Sequence, residues 1–164
     1  SGQGAGLALV SAAIPAQHAI AGLTGVRAYG RASVPSADIL AGRLGFKVTS
    51  KDSYAVEGER SASAFCFDPP PCRGSTGTGT IHHVAWACDG ALPAWRQRVI
   101  GMGCRATPVI DRGHCRSIYF REPSGVLFEI ATDGPETGER YAPSSVGGRL
   151  SPKVDPRVRA ALVG

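Results

Sequence analysis

The chain has 164 residues, 43% of them hydrophobic and 19% charged, with 18 Lys and Arg against 13 Asp and Glu for a net charge of +5. That is enough apolar surface for one ordinary domain, or for two small modules sharing a core, and it excludes wholesale disorder. The basic excess comes from 15 Arg and 3 Lys scattered along the chain, without the concentrated run that nucleic-acid binding needs, and a basic balance alone fits a small anionic substrate about as well.

No apolar run approaches the roughly 18 residues that span a bilayer, and Leu7 to Ile14 follows no basic cluster. The expectation is a cytoplasmic protein that does not bind membranes. Cys66, Cys72, Cys88, Cys104 and Cys115 are odd in number and contain no CxxC pair. They are expected as free thiols, not as a disulfide framework or a zinc knuckle.

Residues 1–17 are Gly- and Ala-rich and read as a flexible arm. From 18 to 68 the pattern gives a first module: a strand over Ile20 to Tyr29, and a helix over Val34 to Leu44 with Pro35 near its start and Ile39, Leu40 and Leu44 on one face. Three short strands follow, over Phe46 to Thr49, Tyr54 to Glu57 and Ser61 to Phe67. Residues 69–78, rich in Pro and Gly, form a linker.

A second module, 79–133, repeats the order. It has a strand over Thr80 to Cys88, a helix over Leu92 to Ile100 with Leu92, Trp95 and Val99 on one face, then strands near Thr107 to Ile110, Arg116 to Phe120 and Val126 to Ala131. Setting Leu23 to Val26 against Ile81 to Val84 brings Gly45 within a residue of Gly103, the trace of an internal repeat. Residues 134–164 read as a wrapping extension with at most a short helix near Pro156 to Val163. The expected fold is α+β, two βαβββ modules with paired, curled mixed sheets, because each four-stranded sheet alone leaves a face bare.

The chemistry concentrates in the second module. Alternation along the strand places His83 with Ala85 and Ala87 on one face and His82 with Val84 and Trp86 on the other. Glu129 is a carboxylate between Phe128 and Ile130, costly to bury unless it is paired or binds a cation. If the first and last strands of the module bring His83 and Glu129 together, they make part of a site for Fe(II), Mn(II) or a similar metal; a salt bridge from Glu129 to one of the many arginines is the plainer alternative. Tyr119 can donate a hydrogen bond to a bound oxygen, and Arg112 can neutralise a phenolate or carboxylate.

Gly79 to Ala85 with its His82-His83 pair, Asp111-Arg112, Arg116 to Pro123, and Gly125 to Pro135 around Glu129 together resemble the vicinal-oxygen-chelate superfamily of glyoxalase, bleomycin-resistance and dioxygenase proteins. More narrowly, they resemble the C-terminal half of a double-length, hydroquinone-type ring-cleaving dioxygenase. The resemblance extends less closely over Ala16 to Phe67. It implies paired βαβββ modules and His83 and Glu129 as metal ligands, with His82, Tyr119 and Arg112 as catalytic residues lining the pocket. It also implies Fe(II), or Mn(II), with no organic cofactor, and a small aromatic substrate cleaved with O2.

The family's metal is held by two His and one carboxylate, and its second His lies in a module this chain does not have. Thr24 and Gly25 stand at the corresponding place in the first module. The third ligand is therefore left to His18, His114, the softer Cys115 or another chain, which makes a homodimer or a partner polypeptide the expected assembly. A glyoxalase-like enzyme of other chemistry and a non-catalytic, drug-sequestering dimer are the alternatives.

Overall fold

The structure, a computed structural model, describes residues 15–18, 24–30, 34–57, 62–75, 77–78, 80–88, 91–113, 115–132 and 149–150. The first module contributes β1 (Gly25–Tyr29), α1 (Val34–Ala37), β2 (Lys47–Ser50), β3 (Ser53–Glu57) and β4 (Ala62–Asp68). The second contributes β5 (Val84–Cys88), α2 (Leu92–Gly101), β6 (Ile110–Asp111), β7 (Arg116–Arg121) and β8 (Leu127–Thr132). In each module the first strand pairs parallel to the last, β1 with β4 and β5 with β8, and the remaining pairs are antiparallel. Both sheets are therefore mixed, and the two βαβββ-like modules are paired.

The helix read over Val34 to Leu44 is a single α-turn, α1, that widens into a π-helical turn over Asp38–Arg43. It closes with Leu44 N–H donating to the Ile39 carbonyl at 2.8 Å. Ile39 and Leu40 are buried on it, as their spacing requires. β5 begins only at Val84, since its partner β8 starts at Leu127 and the register sets Val84 against Phe128. A further strand, β9 (Arg149–Leu150), pairs parallel with β5. The helix expected near Pro156 to Val163 lies outside the described residues.

The expected curling is not found. The strand orders are β1-β4-β3-β2 and β6-β7-β8-β5-β9, two open sheets each with two distinct end strands. The reason is visible in the core. Each sheet's apolar face is covered by the other module and by the helices, so bending a sheet onto itself would bury nothing more. Phe65 on β4 meets Phe128 on β8 edge-on at 5.2 Å, and Phe46 meets Trp86 on β5 at 4.9 Å. Leu92, Trp95 and Val99 of α2 close the second module's side. Such edge-to-face pairs add to the area term of burial.

A second seam joins the modules through Glu122, only 2% exposed. Its carboxylate accepts from the Ser36 hydroxyl at the start of α1 (2.9 Å), from the Val126 N–H (3.1 Å) and from the Ser124 hydroxyl. The turn carrying Ser124 closes with Gly125 N–H donating to the Glu122 carbonyl at 2.8 Å. It needs glycine at 125, where φ is +96°. The end of β1 passes so close to it that a side chain at Gly30 would come within 3.0 Å of Ser124 Oγ.

At the first module's outer face, Arg27 on β1 donates Nε–H to Asp68 Oδ2 on β4 at 2.8 Å and a second N–H to Oδ1. The Arg27 hydrogen bond holds the Asp68 carboxyl below its usual range. A lowered carboxyl pKa stabilises the fold above the unfolded value of about 4 and loses that contribution as pH falls through the folded value. Because the pair is exposed, the expected effect is on titration more than on stability. By NMR the Asp68 carboxyl should titrate below ordinary carboxylates and return to their range in Arg27→Ala; an unchanged titration in that variant contradicts the assignment.

Cys66, Cys72, Cys104 and Cys115 are free thiols, and no helix among the described residues is long and apolar enough to cross a membrane.

Candidate metal centre

The site is built on the face of the second sheet that points away from the core. Glu129 sits on β8 with Ala85 of β5 as its parallel neighbour and Tyr119 of β7 directly opposite. Phe128 and Ile130, on either side of it in sequence, point into the core, so alternation alone turns the carboxylate outward. His83, one residue before β5, shares the Ala85 face and reaches across the small Ala85 side chain to Glu129.

The contacts are specific. His83 Nε2 lies 2.9 Å from Glu129 Oε2, and the Tyr119 hydroxyl donates to Glu129 Oε1 at 2.6 Å. Glu129 is 8% exposed overall, so both oxygens of a buried carboxylate are engaged. The His83 and Tyr119 rings meet edge to face at 5.4 Å. His82, although exposed, folds back so that its Nδ1 is 3.0 Å from His83 Nδ1. With His83 Nε2 donating to Glu129, His83 Nδ1 is the acceptor of that second bond and His82 the donor.

Burial, and then the hydrogen bond to Glu129, push the Tyr119 phenol above its ordinary pKa, while the Ser117 and Arg112 side chains act in the opposite sense. Arg112 is solvent-exposed, and its backbone N–H donates to the Cys115 carbonyl at 2.9 Å. Burial, and then the charge of Glu129, raise the Cys115 thiol. That makes it a thiol and not a ready thiolate ligand.

Of the residues singled out from sequence, His82, His83, Tyr119 and Glu129 therefore stand together, with Arg112, which is exposed, and Cys115 near them as charge and thiol that bear on Tyr119 and Glu129. His18 lies exposed in a 3-10 turn, Ala16–His18, and His114 is outside the described residues. Sequence reasoning missed Ser117. It is fully buried on β7, two residues before Tyr119 and on the same face, and among the described residues its hydroxyl has no hydrogen-bond partner. A serine on an alternating strand gives no sign of which face will be covered.

The donor set suits a divalent cation in part. Two ligands placed side by side on one cation, with bonds of about 2.1 Å, stand about 3.0 Å apart, which matches His83 Nε2 to Glu129 Oε2 at 2.9 Å. An imidazole and a carboxylate are also the donor types for Fe(II) or Mn(II). Among the described residues no group of three His, Cys, Asp or Glu is placed to hold a metal, so the pair is a partial site.

A cavity of about 690 Å³ lies beside β7, lined by Ile39, Met102, Phe120 and Leu127 with Arg105 and Arg121, and Tyr119 borders it as well. Its size and apolar lining are those of small-molecule pockets.

No family model matches the chain. It is 32% identical over 138 residues to "Putative ring-cleaving dioxygenase MhqO" of Bacillus subtilis strain 168, an alignment covering 80% of this chain and 44% of that protein. A second protein of the same organism, "Putative ring-cleaving dioxygenase MhqA", is 30% identical over 149 residues, covering 82% and 46%. The chain thus spans under half the length of either relative. Among solved structures, a putative dioxygenase from Bacillus subtilis superposes with a TM-score of 0.57 at 31% identity, over 68% of this chain and 38% of that one. A fosfomycin resistance protein, FosX from Mesorhizobium loti, shares the fold at a TM-score of 0.50 and 23% identity, over 72% and 96%.

Proposed function

This chain is a homologue of the vicinal-oxygen-chelate superfamily of glyoxalase, bleomycin-resistance and dioxygenase proteins, and from that premise we propose that His83 and Glu129 hold Fe(II) or Mn(II) for the ring cleavage of a hydroquinone or catechol-like aromatic by O2. The observation that carries the proposal is the 2.9 Å approach of His83 Nε2 to Glu129 Oε2 beside the Tyr119 phenol. A bound Fe(II) supplies open positions for a diol and O2 and a path for electrons between them.

The chain's own residues do the rest. For His83 Nε2 to serve as a ligand its remaining imidazole proton must sit on Nδ1, and His82 Nδ1 at 3.0 Å accepts it once the exposed His82 has released its own Nδ1 proton to solvent and carries its hydrogen on Nε2; His82 would thereby fix the tautomer of its neighbour. Tyr119, anchored on Glu129 Oε1, stays protonated because burial and the carboxylate raise its pKa. With its one hydrogen on Glu129 Oε1, it accepts from a substrate hydroxyl through its lone pairs, and donates to a substrate oxygen only on leaving that carboxylate. Arg112 supplies a fixed positive charge for a phenolate. Two protein ligands leave a facial set incomplete, so the third comes from a residue outside this pair, His18 or His114, or from a second polypeptide, another copy of this chain or a separate one.

The test is oxygen uptake. After anaerobic Fe(II) loading, the assembled protein should consume O2 with hydroquinone or catechol and release a ring-opened product carrying both oxygen atoms, and His83→Ala should abolish this. An assembly that holds the cation but leaves every diol intact contradicts ring cleavage and favours a glyoxalase-like use of the site. Ligand binding indifferent to a chelator favours a sequestering role.

A further inference from the structure

The outer edge of β7 sets two arginines against each other. Ala106 bridges Phe120 in the antiparallel sense. Thr107 N–H donates to the Tyr119 carbonyl at 3.0 Å, and Tyr119 N–H donates to Thr107 Oγ1 at 3.1 Å. That register puts Arg105 directly opposite Arg121, and opposed residues of an antiparallel pair share a face with their Cβ atoms about 5 Å apart, where like charges are unfavourable. On its other side Arg121 faces Leu127 of β8. Among the described residues neither guanidinium has a carboxylate partner. Arg121 donates one N–H to the Gly125 carbonyl at 2.7 Å, which leaves most of its donors unspent.

The same two arginines line the cavity of about 690 Å³ beside β7. Ile39, Met102, Phe120 and Leu127 make its walls apolar, and Asp38, the one carboxylate among the described lining residues, stands 3.7 Å from Arg43. Glu122, next to Arg121 in sequence, is engaged at the seam by Ser36, Ser124 and Val126. Apolar walls, room for a small molecule and an opposed pair of positive charges are together complementary to an organic anion. Guanidinium forks match a carboxylate in particular.

We propose that this cavity is a binding site for a small carboxylate with an apolar body. The carboxylate bridges Arg105 and Arg121 and relieves their repulsion, and the body lies against Leu127 and the apolar walls. The site needs no metal, so it does not depend on the reading of Glu129 as a cation ligand.

The probe is 2-naphthoate, added to the metal-free full chain and followed by calorimetric titration and by amide chemical shifts. Binding should move the signals of residues 102–107, 121 and 127 most. The uncharged 2-naphthamide, and inorganic phosphate, which has charge but no apolar body, should each bind at least about tenfold more weakly. Arg105→Gln changes an exposed side chain, so it should weaken naphthoate about tenfold without lowering the unfolding midpoint or altering naphthamide binding. Arg121→Gln should give a similar loss, and His83→Ala none. Naphthoate that shows no binding, binds no better than naphthamide or phosphate, or is indifferent to both arginine substitutions overturns the proposal. A loss in His83→Ala with full binding in the two arginine variants places the anion on the histidines and overturns it as well.

Discussion

Replacing Glu129 with Ala should weaken binding of Mn(II) or Fe(II) by more than about 100-fold, beyond the 10- to 100-fold typical of outer groups that merely orient a ligand. Among the described residues the carboxylate is the one negative group brought within 2.9 Å of His83 Nε2, and without it a lone imidazole remains there. The fold should change little by comparison. Glu129→Ala removes a desolvated charge while leaving the Tyr119 hydroxyl without its acceptor, two terms of opposite sign that net about 1–2 kcal/mol or less. His83→Ala should show the same split, a large loss of cation affinity with a small shift in unfolding midpoint. Calorimetric titration and urea unfolding on the same preparations read both quantities. Equal losses in each would make the pair a structural ion pair instead of a binding site.

Glu122→Ala should do the reverse, destabilising the protein by about 3 kcal/mol or more while leaving the geometry of the His83–Glu129 pair in place. Glu122 is the acceptor at the seam for the Ser36 and Ser124 hydroxyls and the Val126 N–H. Removing it strands donors in a region from which water is excluded, at about 1–3 kcal/mol for each that cannot find another partner. Its charge is also felt by Tyr54 in the first module and Cys104 in the second, so it lies where the modules meet. Glu122→Gln keeps one acceptor oxygen and should cost less. Hydrogen exchange should show the loss concentrated at α1 and the 122–125 turn, where the network is anchored. A Glu122→Ala protein within about 0.5 kcal/mol of the wild type, the range of ordinary surface substitutions, would show that the seam holds without the carboxylate.

Much of the second module can be read from the sequence because each face announces itself. Val84, Trp86 and Cys88 alternate with Ala85 and Ala87, and the structure buries the first set almost completely. Leu92, Trp95 and Val99 line one side of α2 in the same way. Glu129 stood out because a carboxylate between Phe128 and Ile130 has nowhere cheap to go. Its meeting with His83 was conditional on strand pairing, which periodicity cannot supply; the parallel register Ala85 to Glu129 is a tertiary fact.

What the sequence did not show has physical causes of the same kind. Curling was inferred from the need to cover each sheet, but the two apolar faces cover one another through Phe46, Phe65, Trp86 and Phe128, and hydrophobic burial has no preferred direction that would distinguish these solutions. β9 spans two residues and owes its place to the edge of β5. The π-helical turn after α1 has no sequence signature that spacing of Ile39, Leu40 and Leu44 could reveal. Nothing in the spacing around Glu122 and Ser117 marks either as buried, yet the structure covers both.

The central claim is that the cation sits between His83 and Glu129, and the most direct measurement is paramagnetic broadening of the amide spectrum by substoichiometric Mn(II), which reports even a weak, two-ligand site. The account predicts that the signals lost first are those of residues 82 to 85, 119 and 129, and that Glu129→Ala restores them at the same Mn(II) concentration. Broadening centred elsewhere, or a pattern unchanged by Glu129→Ala, would contradict it.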